Sequence, residues 1–127
     1  MLFVRTKIKR SYVHGIGLFA NQNIMKGELI WKFIPPFDLQ IEVTEVDKLA
    51  EPAREQFMNY AYLSTKTGRY ILCFDDDRFI NHSNSPNVLS SNEGGEEGSV
   101  IAARDIREGE ELVCDYREFD ADFARRF

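Results

Sequence analysis

Short extended runs broken by glycine turns fill the first third of this chain, and that pattern commits it to strands joined by tight turns. Phe3 to Lys9 reads as a strand, His14-Gly15-Ile16-Gly17 as a turn, and Leu18-Phe19-Ala20 as the extended path beyond it. Gly27 marks the next turn. Glu28 to Phe33 has strand composition, and Pro35-Pro36 ends it, because proline has no N–H to give a ladder. The extended pattern resumes at Arg69: Arg69 to Phe74, Val100 to Arg104 and Glu111 to Tyr116 read as strands. Glu93 to Ser99, rich in glycine and glutamate, reads as an exposed loop tip.

Two stretches have helical spacing. Val46, Leu49, Ala50, Ala53, Phe57 and Tyr60 recur at helical intervals, with Thr44 as a candidate N-cap and Asp47 three residues on. Pro52 interrupts them, so the segment reads as two short helices or as one that starts near Pro52. At the other end, Phe119, Phe123 and Phe127 stand four apart, as on one face of a short helix. A local pattern also occurs twice: Asn23-Ile24-Met25-Lys26-Gly27-Glu28 resembles Asp105-Ile106-Arg107-Glu108-Gly109-Glu110. Each copy reads as a glycine turn that feeds a strand. The expected fold is mostly β, a β-rich α+β domain with one helical insert and a helical tail.

The length of 127 residues fits one domain, taken as 1–127 with a core of about 4–116 and a tail of 117–127. No run of 18 apolar residues exists, so no membrane-spanning helix is expected. The start, MLFVRTKIKR, lacks a continuous apolar stretch and reads as a first strand, not a signal peptide. Cys73 and Cys114 are the only cysteines, too few for a disulfide framework or a cysteine-only zinc site. A reducing, intracellular setting, nuclear or cytoplasmic, is expected. The net charge of −5 without a basic stripe argues against direct nucleic-acid binding. It suits a basic partner, and it also serves plain solubility.

Three segments can carry chemistry. In His14-Gly15-Ile16-Gly17-Leu18-Phe19, two glycines let the backbone approach a ligand closely, or simply close a hairpin. The block Arg78-Phe79-Ile80-Asn81-His82-Ser83-Asn84-Ser85-Pro86-Asn87 is polar between segments that read as buried. Such a loop holds a ligand or pins a turn. His14 is the only other histidine, so no zinc site is expected at His82. In Gly109-Glu110-Glu111-Leu112-Val113-Cys114-Asp115-Tyr116, a strand ends on an aspartate–tyrosine pair. Tyr116 alone is either a polar handle or a core aromatic.

Together and in this order, the three segments resemble the SET-domain family of methyltransferases, from about Val4 to Tyr116. The middle block resembles the family's R-F-x-N-H-S-x-x-P-N signature and the last block its G-E-E-L-x-x-D-Y signature. The resemblance implies small curved sheets with a C-terminal pseudoknot that sets the two blocks side by side. It implies transfer of methyl from S-adenosylmethionine to a lysine of another protein, a histone tail or another basic protein. A non-catalytic SET-like module that binds a basic peptide is the competing expectation. Gly15, Ile16, Gly17 and Leu18 are then expected at the cofactor, with Arg78, Phe79, Asn81, His82, Tyr116 and Phe119. Tyr116 is expected to be catalytic, as a hydrogen-bond partner that orients the amine. Tyr62, Tyr70, Ser90 and Cys114 are expected along the lysine channel.

The departures are informative. Many members carry a cysteine-rich zinc segment after the last block; none stands here, and no metal is expected. The tail from Arg117 is expected to fold over the adenine end and complete the channel. Cys114 and Ser90 stand where some members place an aromatic residue that limits methylation, so the number of methyl groups stays open. Asn84 replaces the usual cysteine. Asp75-Asp76-Asp77 reads as a solvated turn or as a lure for a basic peptide. Monomer and homodimer both stay open.

Overall fold

The computed structural model describes residues 1–126, so the expected role of Phe127 lies outside the described residues. Three small sheets carry the chain. In the first, β1 (Thr6–Arg10) and β2 (Ile16–Ala20) form an antiparallel hairpin, Lys7 opposite Phe19 and Lys9 opposite Gly17. The last strand, β10 (Glu111–Cys114), pairs antiparallel with β2 on one side and parallel with the two-residue β7 (Asn81–His82) on the other. The expected juxtaposition of the second and third motifs is therefore present: Val113 faces Asn81 and Cys114 faces His82. The second sheet runs β3 (Leu29–Lys32), β9 (Ser99–Ala102), β8 (Val88–Ser91). The third runs β4 (Leu39–Ile41), β6 (Tyr70–Leu72), β5 (Tyr62–Leu63).

The Asn87 side chain locks the segment after β7 against β10. Its amide donates to the Glu111 carbonyl at 2.9 Å and its oxygen accepts from the Val113 N–H at 2.9 Å. Asn87 is buried, so both amide ends are satisfied by strand backbone, as a polar group taken from water requires.

The two copies of the glycine-turn pattern pair with each other. Ile24 and Ile106 exchange backbone hydrogen bonds of 2.8 Å in both directions. Asn23 accepts from the Glu108 N–H, and Asp105 accepts from the Lys26 N–H. Gly27 and Gly109 take φ of +84° and +95°, a region that favours glycine. Each copy thus caps the other, and both isoleucines are 1% exposed in the main core. That core gathers Leu18, Ile30, Trp31, Ile71, Val88 and Leu112 from all three sheets. Burying one such side chain contributes roughly 1.5–3 kcal/mol. A second cluster joins Val46, Met58, Ala61 and Tyr70.

Several expectations are corrected. β1 starts at Thr6 rather than Phe3, and Leu2 makes only an isolated bridge to Trp31. Of the two readings of the insert, two short helices is the one present, α1 (Val43–Val46) and α2 (Ala53–Tyr60). Glu42, not Thr44, holds the N-cap of α1, and Pro52 that of α2. The loop at Glu93 to Ser99 is not wholly exposed. Glu97 is buried and accepts from the Ser64 and Thr67 hydroxyls and from Gln40. The aspartate run is not a fully solvated turn: Asp75 caps a single 3-10 turn, Asp76–Phe79, that leaves Asp77 half-buried. Phe119 and Phe123 do not share a helical face, because Phe119 precedes the last helix, α3 (Phe123–Arg126). The tail is docked instead: the Ala121 N–H donates to the Leu63 carbonyl, the Thr65 N–H to Phe119, and buried Asp120 accepts from the Leu63 N–H.

Candidate functional site

The turn before β2 is held from below by one carboxylate. Glu111, first residue of β10, accepts from the Ser11 hydroxyl at 2.7 Å and the Tyr12 N–H at 3.1 Å. The amide nitrogen of Asn81 lies within 3.0–3.2 Å of Ser11 Oγ, the His14 and Ile16 carbonyls and Glu111 Oε2. It has two protons for these four acceptors, so it bridges the turn rather than reaching past it. Gly17 is required here for space. A Cβ there would collide with the Glu111 carboxylate. Gly15 is required for conformation, with φ of +51°.

Above this turn opens a cleft of about 480 Å³. Val13, His14 and Ile16 line one wall, Met58 to Tyr60 at the end of α2 another, and Arg78 to His82 with Tyr116 the floor. The Arg78 guanidinium lies over the Tyr60 ring at 5.1 Å and the Phe79 ring at 5.3 Å. The His82 ring orients the end of β10. Its Nδ1 accepts from the Tyr116 N–H at 3.1 Å, and its Nε2 stands 3.2 Å from Asn84 Oδ1. An accepting Nδ1 leaves the ring proton on Nε2, so Asn84 accepts it, in place of the cysteine the signature carries there. Phe123 covers the other side of the ring, 5.1 Å away between centroids. Arg117 grips Asp115 at both oxygens, 2.9 and 2.8 Å, and holds its carboxyl below the usual aspartate range.

Two narrow chambers lie beyond the cleft. The first, about 60 Å³, is lined by Tyr62, Asp77, Ile80, Tyr116 and Phe119. The second, about 40 Å³, shares Tyr62, Asp77, Ile80 and Phe119 and adds Trp31, Ser90 and Cys114. Tyr116 and Ile80 belong to both the cleft and the first chamber. The Tyr116 hydroxyl donates to the Ile80 carbonyl at 2.5 Å, which fixes the phenol at that shared wall. Aromatic rings close the chambers: Phe119 sits edge-on to Tyr62 at 4.8 Å and to Tyr116 at 5.7 Å. Burial pushes the Tyr62 phenol and the Cys73 and Cys114 thiols above their ordinary values. Asp77 is pushed up to about 7, first by burial and then by its neighbour Asp75.

Most of the expected residues converge, but not all in the expected place. Ile16, Arg78, Phe79, Asn81, His82 and Tyr116 line the cleft. Leu18 does not: its side chain is fully buried in the main core. Gly17 serves Glu111, and Phe119 lines the chambers instead of the cleft. Tyr62, Ser90 and Cys114 line the chambers, whereas Tyr70 does not. The reason is register: Tyr62 faces Ile71 across the sheet and Leu63 faces Tyr70, so the two tyrosines point to opposite faces. Tyr70 joins the second cluster and donates to Asp122 at 3.1 Å. Sequence reasoning missed Ser11, Glu111 and the Met58–Tyr60 wall, and singled out Asp77 only within the aspartate run. Tyr60 stood at a helical apolar position and Glu111 inside the last signature, the only hints available.

A fold of small sheets with these two signatures laid side by side is that of a SET domain, and the comparisons agree. The SET domain family profile matches residues 15–117, and the chain belongs to that family. It is 34% identical over 125 residues to human histone-lysine N-methyltransferase 2B, covering 87% of this chain and 4% of that protein. It is 32% identical over 127 residues to an H3 lysine-4 specific histone-lysine N-methyltransferase of Chaetomium globosum, covering 87% of this chain and 11% of that protein. The chain therefore spans a small fraction of these relatives' length. Among solved structures, the Neurospora SET domain protein DIM-5, a histone lysine methyltransferase, aligns with a TM-score of 0.61 at 22% identity. That alignment covers 91% of this chain and 53% of that one. Among the described residues, no helix is long and apolar enough to cross a membrane.

Proposed function

We propose that this chain is a protein-lysine methyltransferase unit that uses S-adenosylmethionine, with a lysine-bearing basic protein such as a histone as substrate. The observation that carries this reading is Tyr116 at the wall common to a large cleft and a narrow aromatic chamber. A cleft of about 480 Å³ suits a nucleoside joined to an amino acid, since small-molecule sites run to roughly 300–1,000 Å³. Its residues fit both halves. Tyr60, Phe79 and Ile16 offer flat apolar surface to a base, and Arg78 offers a guanidinium to a carboxylate. The Asn81–Glu111 lattice holds the Val13–Ile16 turn in place for the polar end. Bound there, the cofactor supplies an electrophilic methyl group.

The chain's own residues prepare the amine. A lysine side chain entering the chambers leaves water for the rings of Tyr62, Tyr116 and Phe119. That desolvation disfavours its charged form. The Tyr116 phenol, donating to the Ile80 carbonyl, keeps acceptor lone pairs on the same oxygen and so orients an amine N–H. This positioning role suits a phenol better than general-base action, because an unperturbed tyrosine titrates near pH 10. The net charge of −5 favours approach of a basic partner.

Thermal unfolding with and without S-adenosylmethionine tests the cofactor half. At a ligand concentration about 100 times Kd, stability rises by about 2.7 kcal/mol, or a Tm increase of roughly 10 °C for a chain of this size. An unchanged Tm across that range contradicts the reading.

A further inference from the structure

The aspartate run delivers one carboxylate to a place where a solvated turn would not. Asp77 lines both chambers, opposite Tyr62 and Phe119, and shares the first with Tyr116. Its charge reaches the groups around it, raising the Tyr62 phenol and the Cys73 and Cys114 thiols. Among the described residues, no lysine, arginine or histidine forms an ion pair with it. Arg78, the next residue, lies over Tyr60 and Phe79. Lys66 lines the second chamber without an ion pair to Asp77. The N-terminal ammonium is bonded to Asp38 at 2.6 Å. Among the described residues the one side-chain donor to the carboxylate is the Cys73 thiol at 3.8 Å; Asp75 adds repulsion, the N-terminal ammonium offsets part of it, and Asp38 adds a smaller repulsion. A half-buried carboxylate with no ion-pair partner favours a cation beside it. This points to a positively charged occupant.

We infer that Asp77 is the receptor for the substrate ammonium: its carboxylate pairs with the incoming lysine nitrogen, selects a cation over a neutral side chain, and accepts the proton that must leave before the nitrogen can react. One N–H bond of the ammonium breaks, and its electron pair stays on nitrogen. One O–H bond forms on Asp77, and the proton passes to solvent when the chambers empty. This assignment rests on the lysine-transferring reading above and adds a residue to it. A carboxyl that titrates near 7 is a far better proton acceptor than an ordinary aspartate, yet is still ionised at pH 8. Because burial raises this carboxyl, the stability it contributes is complete below pH 3.8 and is lost as pH rises through about 7. Asp77→Asn removes that cost, so the variant should melt at or above the wild-type temperature at pH 8.

The probe is n-butylammonium, with the neutral isostere n-butanol as control, both followed by NMR. At pH 8 the wild type should bind n-butylammonium at least about tenfold more tightly than n-butanol, with Asp77→Asn losing the preference and Asp77→Glu keeping part of it. Binding should weaken below about pH 7, and the Asp77 carboxyl, read by carbon-13, should titrate at lower pH with the probe bound. Equal binding of the two probes, or an Asp77 titration that ignores the ammonium, overturns the assignment. A wild type that selects n-butylammonium through Asp77 but transfers no methyl group sinks the activity and upholds the ammonium site. Unchanged KM and pH profile for methyl transfer in Asp77→Asn does the reverse.

Discussion

Replacing Tyr116 by phenylalanine should lower methyl transfer about 100-fold or more while leaving S-adenosylmethionine affinity within roughly twofold. The ring itself stays where it is. It packs on Phe119 at 5.7 Å and on His82 at 5.4 Å, and neither contact needs the hydroxyl. What disappears is the phenol's bond to the Ile80 carbonyl and, with it, the polar atom at the wall between cleft and chamber. The lost hydrogen bond costs about 1 kcal/mol of stability, too little to unfold the domain. The effect should therefore fall on kcat, because a misdirected amine loses the in-line approach rather than the binding site. Single-turnover kinetics with a lysine peptide, beside calorimetric titration of the cofactor, separates the two. Near-normal turnover would remove Tyr116 from the chemistry.

Asn81→Ala should do more structural damage than its size suggests. It removes the amide bridge between the turn at Ser11, His14 and Ile16 and the distant Glu111. The acceptors are only part-buried and those of His14 and Ile16 lie within reach of water, so a loss of about 1–2 kcal/mol is expected. The Val13–Ile16 wall of the cleft loosens with it, and the stabilisation by S-adenosylmethionine should vanish. Asn81→Asp should be worse than alanine, because it sets a second carboxylate against Glu111. Thermal scans of both variants with and without the cofactor check this. An aspartate variant as stable as wild type would mean the bridge carries no load.

The sequence discloses the fold unevenly, and the reasons are local. β2, β3, β6, β9 and β10 are bounded by glycine or proline and rich in branched and aromatic residues, so their positions could be read within a few residues. β5 and β7 have two residues each and exist only because distant strands pair with them. No window of sequence contains that information. The site divides the same way. The signatures located Arg78, Asn81, His82 and Tyr116 as a group. They could not say that Asn81 spends its amide on the turn, because that depends on Glu111, thirty residues on. Tyr62 and Tyr70 looked equivalent until the pairing of β5 with β6 put them on opposite faces. Asp77 was the hardest case: three aspartates in a row look solvated, and only the 3-10 turn that Asp75 caps turns one of them inward. Leu18 carried a ligand role by its place beside the glycines, yet its burial belongs to the core.

All of this rests on two compartments meeting at Tyr116. The most direct test incubates the protein with isotopically labelled S-adenosylmethionine and a lysine-rich histone peptide, then fragments the product by mass spectrometry. Label on a lysine side-chain nitrogen, absent with Tyr116→Phe, is the predicted result. A protein that binds the cofactor but leaves every lysine unlabelled, on that peptide and across a whole-cell extract, would contradict it.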